Sequence, residues 1–340
     1  MSQGLMAVGA LVRPTRRQAL AALAVTAISP AHAQQDQSGA VERWPQRPIR
    51  IIVALAPGGT ADIIARQYAE FLQARLGQPV VVENRPGAST NIGTEAAVRA
   101  PPDGTTLLLG ASNLASNPIV GPKPSFDPIT ALDPIGIVAN SPFLLAAYPR
   151  FAAKTAKEMI VLARQNPGRY TVATAQLDFR VAQLTRRSGI VLEHVGYRGG
   201  AEAMTAVIAG HIDMVYSQVP TLLSAIRDGS LIGLGVTGRQ RSPSLPEVQT
   251  FLETGESTLF SDGWYGIFTP ARTPRPIIDR LAAETQDFTR DPRIIARFGD
   301  VGMEAQGSTP EQLGQALRDL TVDFATLARE LAEAAPTAAR

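Results

Sequence analysis

The hydrophobic pattern in the first half of the chain alternates between two periods. Residues 49–56 form a run of β-branched and apolar side chains, which is typical of a strand buried on both faces. Residues 60–76 instead place apolar side chains at helical spacing, and Gly77 is a natural helix stop. The alternation continues through strand 79–83, helix 91–99 and strand 106–110. A pattern of this kind predicts a parallel sheet with right-handed crossovers.

A second alternating series follows a Pro-rich stretch at 117–134 that lacks clear periodicity. The predicted strands lie at 134–138, 143–148, 170–174, 191–197, 212–216, 231–236 and 263–268. The predicted helices lie at 154–165, 180–188, 201–209, 221–227, 277–287, 293–298 and 311–333. The pattern therefore predicts two α/β units, and the helices near the C-terminus must pack on a sheet that is already built.

The first 33 residues have the order of an export signal. Arg16 and Arg17 precede an apolar stretch at 19–28, which is too short to span a bilayer. The A-x-A site Ala31-His32-Ala33 follows, so we predict an exported, periplasmic protein that begins at Gln34. The arginine pair also fits a twin-arginine signal, and both the twin-arginine and the general secretory route stay open. A buried N-terminal helix is the alternative, but charge order, apolar length and cleavage site agree on a leader.

Composition narrows the chemistry that the protein can perform. The chain has 340 residues, of which 45% are apolar and 18% charged, as in a globular protein of about two domains. It contains no cysteine, which excludes a thiol nucleophile, a Cys-ligated zinc and an iron–sulfur cluster. Three of its 32 basic residues lie in the leader, which leaves 29 against 30 acidic residues. A nearly neutral mature protein has no strong field for nucleic acid or a membrane surface, so we predict neither as a partner.

The sharpest local feature is the segment PGGTAD at 57–62, between the first predicted strand and the first predicted helix. Its glycines let the backbone turn tightly and let a ligand approach the amides, and the helix start adds unpaired N–H groups and partial positive charge. The candidate ligand-binding residues are Pro57, Gly58, Gly59, Thr60 and Asp62. Thr60 or Asp62 could instead cap the helix, and a plain strand-to-helix turn explains the segment equally well. No Gly-Lys-Ser/Thr follows, so the segment is not a phosphate loop.

Two further loops follow the next two predicted strands. The second loop contains the candidates Ser89 and Asn91, and the third contains Ser112 and Asn113. All three loops then share the carboxyl edge of a parallel sheet, where open α/β folds bind ligands. Their polar atoms are amides, hydroxyls and backbone groups, which suit binding better than catalysis.

Signals for an enzyme are weak. The segment GLGVTG at 233–238 matches G-x-G-x-x-G, but a breaker at 242–246 follows instead of a helix, so a nicotinamide dinucleotide is not expected. Beyond the leader only His194 and His211 remain as histidines, and both are interpreted as hydrogen-bonded structural residues. No H-E-x-x-H or G-x-S-x-G occurs. We predict no catalytic residue, no metal and no cofactor, and an enzyme on the same fold is the least favoured alternative.

A set of segments occurs in the order and at the spacing of one known family. The most recognisable is LGQPVVVENRPG at 76–87, and PGG at 57–59 with Asp62 precedes it. The other matching segments are 44–53, 91–93, 102–108, 117–118, 194–195 with 197–199, Gly210 with Asp213, 241–243 with 245–248, and 307–310. Together they extend from about residue 44 to about residue 330, and the chain resembles the solute receptors of tripartite tricarboxylate transporters, also called Bug receptors.

The resemblance implies an α/β fold of the type II periplasmic-binding class, in which two α/β lobes are joined by two crossing segments and the ligand lies between them. Mapped onto this chain, lobe one would be 43–139 plus 264–340, and lobe two would be 140–263. The C-terminal helices would then return to cover lobe one. Family ligands are small carboxylates such as citrate, dicarboxylates, acidic amino acids and aromatic acids. By resemblance, the loop at 57–59, partly through water, and the lobe-two loop after Tyr170 would hold a carboxylate.

The lobe-two loop departs from the family pattern. Residues 173–182, ATAQLDFRVA, are shorter than in the family and lack its glycines and its following histidine, and Gly196 stands where the family has proline. The candidate contacts on this side are Thr174, Gln176, Asp178, Arg180, Arg198 and Gly199. Arg180 could pair with a ligand carboxylate or with Asp178, and both interpretations stay open. A buried Asp178 would repel a second carboxylate, which favours a ligand with one carboxylate, or with an amine or amide near this loop, over a tricarboxylate.

We therefore predict a monomeric solute receptor that captures a small organic carboxylate and delivers it to membrane permease subunits. The alternative partner is a membrane-bound signalling protein that reads the closed form. In both cases ligand binding shifts a pre-existing equilibrium between open and closed lobes, and no chemistry is performed. The identity of the ligand and the existence of a cognate permease stay open.

Overall fold

The structure, a computed structural model, describes residues 43–120, 122–175, 178–197, 199–255 and 263–334. The predicted leader, Gln176 and Arg198 lie outside these residues, and so does the side chain of Asp178. All elements below lie within Pro45–Arg340, which is one unit of the chain.

Strands and helices alternate through most of this unit. The strands are β1 (Ile49–Val53), β2 (Val80–Asn84), β3 (Thr106–Ala111), β4 (Leu132–Asn140), β5 (Phe143–Ala147), β6 (Thr171–Ala175), β7 (Glu193–Tyr197), β8 (Met214–Gln218), β9 (Ile232–Val236), β10 (Trp264–Pro270) and β11 (Glu304–Ala305). The helices are α1 (Thr60–Leu76), α2 (Asn91–Val98), α3 (Asn113–Val120), α4 (Pro128–Ala131), α5 (Ala156–Gln165), α6 (Asp178–Ser188), α7 (Gly200–Ile208), α8 (Val219–Arg227), α9 (Arg275–Arg290), α10 (Pro292–Asp300) and α11 (Pro310–Ala334). Within the described ranges, no helix combines the length and the apolar character that a membrane span needs.

The first sheet has the strand order β11-β4-β10-β3-β1-β2. β1 pairs in parallel with β2 on one side and β3 on the other, so Ile51 stands opposite Val82 and Leu107. β10 runs antiparallel to both β3 and β4. Helices α9 and α11 pack against β4, and Phe268 of β10 shares a buried cluster with Leu313 of α11. The C-terminal helices therefore cover this first sheet.

The second sheet has the strand order β7-β6-β8-β5-β9. β6 is parallel to β7 and β8, whereas β5 is antiparallel to β8 and β9. Leu145 of β5 belongs to the buried cluster on one face, and Leu144 and Ala146 belong to the cluster on the other. Because successive side chains of a strand point to opposite faces, β5 is buried on both sides and its sequence is apolar throughout.

The chain crosses between the two sheets at two places that touch. Ser141 and Pro142 connect β4 with β5, and Gly263 precedes β10, which belongs to the first sheet again. The Ser141 amide donates a hydrogen bond to the Gly263 carbonyl at 2.8 Å. A Cβ at Gly263 would lie 2.5 Å from the Ser141 carbonyl oxygen, so a larger residue would force these crossings apart.

The structure confirms the α/β class and most of the predicted elements. The expected parallel arrangement holds for β1, β2 and β3, but the sheet as a whole is mixed, because β10 and β4 run antiparallel to their neighbours. The hydrophobic pattern misses α3, because Pro118 and polar residues interrupt its apolar spacing. It also misses the short helix α4, which Asp127 caps by accepting the Ile129 amide at 3.0 Å, and the two-residue strand β11. The lobe boundaries stay a prediction.

Candidate functional site

The turn between β1 and α1 lies at the carboxyl edge of the first sheet. Gly58 has a φ of +81°, a conformation that other residues rarely adopt, so the turn requires glycine there. Gly59 is extended, with φ −84° and ψ 176°, and it is the N-cap of α1; no described side chain caps this helix. Pro57, Gly58 and Gly59 are all exposed. An exposed helix start without a side-chain cap has the geometry of an anion site.

Asp62 stabilises this turn from the first turn of α1. Its Oδ2 accepts hydrogen bonds from the Gly58 amide at 2.9 Å and from Arg66 Nε at 3.0 Å. Burial opposes ionisation of this carboxyl, but hydrogen bonds from Arg66, Gly58 and Asn84 outweigh burial and hold the pKa of Asp62 below its usual range. The alternative in which Thr60 caps the helix is wrong, because the N-cap is the preceding glycine.

The loop after β2 has a strained backbone. Ala88, Ser89 and Thr90 have φ values of 47°, 51° and 76°, and non-glycine residues in this region cost about 1–3 kcal/mol each. Asn117 Nδ2 holds the loop by donating to the Ser89 carbonyl and, at 2.8 Å, to Thr90 Oγ1. The Thr90 carbonyl in turn accepts from Thr94 Oγ1 at 3.0 Å. Because such strain persists only where the surroundings impose it and often marks ligand sites, it supports a role for this loop in binding.

The other candidates of the first sheet surround this strained loop. Asn113 Nδ2 lies 3.5 Å from Thr90 Oγ1, and Ser112 is buried directly after the end of β3. Asn91 begins α2, and its Nδ2 donates to the Pro122 carbonyl at 2.6 Å. The Asn91 side chain is therefore engaged in holding a neighbouring loop.

At the second sheet, Thr174 and Gly199 lie at the carboxyl ends of β6 and β7. Thr174 is fully buried, and its Oγ1 is 2.7 Å from Nε2 of His194, which confirms the interpretation of this histidine as hydrogen-bonded. Gly199 is the extended N-cap of α7, and no described side chain caps this helix either. A Cβ at Gly200 would lie 3.1 Å from Ser217 Oγ, so the start of α7 lies close to the end of β8.

Arg180 connects α6 with groups on both sheets. Its guanidinium carbon lies 5.1 Å from the ring centre of Phe143 on β5 and 4.8 Å from that of Phe324 on α11. Its Nη2 donates to Ser112 Oγ at 3.4 Å, and the residue is only 5% exposed. A desolvated cation on an aromatic face is stabilised by about 2 kcal/mol. A positive charge is therefore held where the second sheet meets α11.

Tyr265 and Gln218 are polar residues of this region that the hydrophobic pattern does not reveal. The Tyr265 hydroxyl donates to Gln218 Oε1 at 2.9 Å, and the Thr60 side chain lies near it. Burial raises the pKa of Tyr265 to about 12, so the hydroxyl keeps its proton. The available signal was a tyrosine inside the apolar strand WYGIFTP, because a buried phenol needs a hydrogen-bond partner.

The residues brought together offer amides, hydroxyls and one guanidinium. The start of α1 lies near Tyr265, and the start of α7 lies beside Ser217, which precedes Gln218, the partner of Tyr265. In the part of the chain that the structure describes, no group of three His, Asp or Glu residues could hold a metal ion. The amides, hydroxyls and guanidinium suit the binding of an anion.

Two α/β sheets joined by two adjacent crossings define a two-lobed periplasmic binding protein of type II. The structure is similar to that of the periplasmic binding protein BugD, with a TM-score of 0.72 and 30% identity over 84% of this chain and 98% of BugD. It is also similar to MatC from Rhodopseudomonas palustris with bound malate, with a TM-score of 0.70 and 25% identity over 84% of this chain and all of MatC. The predicted fold class is confirmed.

The family follows from the sequence comparisons. A model of the tripartite tricarboxylate transporter family receptor matches residues 64–331. Protein BugT of Bordetella pertussis is 30% identical over 295 residues, which cover 85% of this chain and 90% of BugT. The chain therefore belongs to the receptor family of tripartite tricarboxylate transporters, as the ordered motifs indicated.

Proposed function

We propose that the protein is a periplasmic receptor that captures a small organic carboxylate between its two lobes and performs no chemistry on it. Lobe one would comprise 43–139 plus 264–340, and lobe two 140–263. The observation that carries the proposal is a pair of helix N-termini, one from each sheet, that have glycine N-caps at Gly59 and Gly199 and begin near Tyr265 and Ser217.

A carboxylate between these two helix starts would be stabilised from both lobes. A helix N-terminus contributes about 0.3–1 kcal/mol to an anion at an exposed position and up to ~2 kcal/mol when partly buried. Arg180 adds a full positive charge beside Ser112. Because the favourable groups come from both lobes, the ligand binds the closed arrangement better than the open one, and this difference in affinity drives closure.

The proposed ligand class is a small acid with a single carboxylate, or one that also carries an amine or amide. Family membership and the malate bound to MatC support a small organic acid. The narrower choice rests on the loop 173–182, in which Asp178 replaces neutral glycine-rich backbone and would repel a second carboxylate. Citrate is the ligand that this proposal disfavours most.

Delivery to a permease completes the proposed function. The receptor would present its closed lobes, as a monomer, to the membrane subunits of a tripartite transporter. Membership of the receptor family of these transporters supports this partner.

A thermal-shift screen on the mature protein beginning at Gln34 tests ligand capture. A ligand at about 100 times its Kd should add about 2.7 kcal/mol to the free energy of unfolding. The panel contains monocarboxylates, dicarboxylates, citrate and amino acids, with a nicotinamide dinucleotide as control. Stabilisation by a carboxylate and not by the dinucleotide is expected. If no carboxylate raises the melting temperature, or only the dinucleotide does, the receptor proposal is wrong.

Export is tested separately. N-terminal sequencing of the protein from the periplasm should give Gln34, because the A-x-A site ends at Ala33. Changing Arg16 and Arg17 to lysine should block export only if the twin-arginine route is used. An intact Met1 on exported protein would contradict cleavage.

A further inference from the structure

Tyr265 occupies the place where the chain re-enters the first sheet. It is the second residue of β10, two positions after Gly263, whose carbonyl accepts the Ser141 amide of the other crossing. The tyrosine is 4% exposed. Tyr265 therefore lies beside both crossings, and a hydrogen bond from its hydroxyl to the second sheet can influence the angle between the sheets.

One hydroxyl joins groups from both sheets. Gln218, whose Oε1 accepts its hydrogen bond at 2.9 Å, ends β8 in the second sheet and is the N-cap of α8. Thr60, which lies near this hydroxyl, is the first residue of α1, directly after the glycine turn.

The amide of Gln218 also lies over the second crossing. A Cβ placed on Gly263 would be 3.1 Å from Gln218 Nε2 and 3.2 Å from the Phe143 ring. The space between β8, the start of β5 and Gly263 is therefore filled, and Gln218 has little room to follow a rotation of one sheet without breaking its bond to Tyr265.

We propose that Tyr265 is a positioning residue, whose hydroxyl fixes the angle between the two lobes through its bond to Gln218. The effect of Tyr265 on ligand affinity rests on the proposed function. Its effect on the lobe angle does not, because that angle is a property of the protein without ligand.

Tyr68 offers a matched control. It is also fully buried, and its hydroxyl lies 2.7 Å from Thr285 Oγ1, but this bond joins α1 to α9 within the layer on the first sheet. Tyr68→Phe and Tyr265→Phe delete the same atom from equally buried phenols. If Tyr265 only stabilises the fold, both variants should have the same distance between the lobes and the same ligand affinity.

The absence of cysteine makes the lobe angle measurable. Spin labels at Val81→Cys on β2 and Val191→Cys before β7 fall on exposed positions, 57% and 55% accessible, on opposite sheets. Pulsed electron resonance then gives the distribution of distances between the lobes without ligand. Tyr265→Phe should shift or broaden this distribution, whereas Tyr68→Phe should leave it as in the parent.

Ligand affinity is the second measurement. For the carboxylate that binds the parent most tightly, Tyr265→Phe should lower affinity about fivefold, the equivalent of one lost hydrogen bond, and Tyr68→Phe less than about twofold.

Gln218→Leu provides a second route to the same contact. It should reproduce the change in the distance distribution, and the double variant Tyr265→Phe/Gln218→Leu should show no further change, because both remove one interaction. A distribution in Tyr265→Phe that matches the parent overturns the proposal, and so do additive effects in the double variant. If no carboxylate binds the parent protein, the proposed function fails, while the distance measurement still decides the role of Tyr265.

Discussion

The carboxyl edge of the first sheet and that of the second contribute different kinds of groups to the candidate site. At the first sheet, Gly58 and Gly59 expose the start of α1, and the loop at Ala88–Thr90 is held in a strained backbone conformation. At the second sheet, the described polar groups are mainly side chains: Thr174 with its histidine, and Arg180 on two aromatic rings.

This difference separates recognition of a carboxylate from choice among carboxylates. Backbone amides at a helix start bind any carboxylate, and they need only the positive φ of Gly58 and the support of Asp62. Side chains such as Arg180 and Asp178 add or remove charge with single substitutions. We therefore expect the first-sheet half to carry affinity and the second-sheet half to carry selectivity.

The second-sheet half is also coupled to the position of the lobes. Besides Arg180 on Phe324, two more arginines of α6 reach α11: Arg186 lies 3.7 Å from Glu330, and Arg187 lies 3.9 Å from Asp323. Because α11 packs on the first sheet, a rotation of the lobes would move α6 past these partners. The turn at Gly58 and Gly59 has its supporting bonds within its own lobe.

Gly59→Val should give the largest change, a loss of roughly tenfold or more in carboxylate affinity, or about 1.4 kcal/mol. Valine can adopt the φ of −84° at this position, and a Cβ would lie 3.7 Å from the Ala56 carbonyl, an ordinary contact. The loss therefore comes from the branched side chain over the first amides of α1 rather than from misfolding. Calorimetric titration measures it, and a folded variant with unchanged affinity would remove this loop from the site.

Gly199→Val is the matched change in the other half, and it should weaken binding by only about threefold. Gly199 is extended, and a Cβ there meets nothing within 4 Å, so valine fits. The smaller loss is expected because Arg180 supplies positive charge on this side. The same titration measures it. If Gly199→Val loses as much affinity as Gly59→Val, the first-sheet half does not contribute more affinity than the second-sheet half.

Asp178→Asn should raise affinity for dicarboxylates relative to monocarboxylates by about twofold to fivefold, because it removes a negative charge near the lobe-two loop. Competition titration with a matched pair, one mono- and one dicarboxylate of equal length, gives the ratio. Tight citrate binding by the unmodified protein, or an unchanged ratio in the variant, would make Asp178 a surface or capping residue.

Asp62→Asn should have the smallest effect on binding, below about twofold, but a defined pH signature in stability. The pKa of Asp62 is lower in the folded protein than its ordinary value, so the carboxylate stabilises the fold above that value, and the stabilisation is lost as pH falls through the folded pKa. In urea unfolding, the difference in unfolding free energy between parent and variant should therefore shrink as pH falls below the ordinary aspartate pKa of 3.8. A difference in unfolding free energy that stays constant with pH would exclude this role.

Local signals were sufficient for the parts of the site that depend on short segments. The helix predicted over 60–76 has the observed bounds of α1, because Gly77 adopts a φ of +66° at the C-cap, as a glycine stop predicts. The glycine turn before it was also found from sequence. In contrast, the positive φ values of Ala88, Ser89 and Thr90 carry no local signal. Asn117, which bonds to Ser89 and Thr90, lies on the unpredicted helix α3.

The sequence by itself determined the order of most strands and helices, the glycine turn and, through ordered motifs, the family. Only the tertiary structure decided that β10 inserts antiparallel between β3 and β4, and that Tyr265 meets Gln218, 47 residues away in the chain. The physical reason is that periodicity and turn chemistry act over a few residues, whereas strand partners and buried hydrogen bonds are selected by packing between distant segments. The same is true of Arg180. The sequence shows its positive charge, but its position between Phe143 and Phe324 follows from the packing of α6 against β5 and α11.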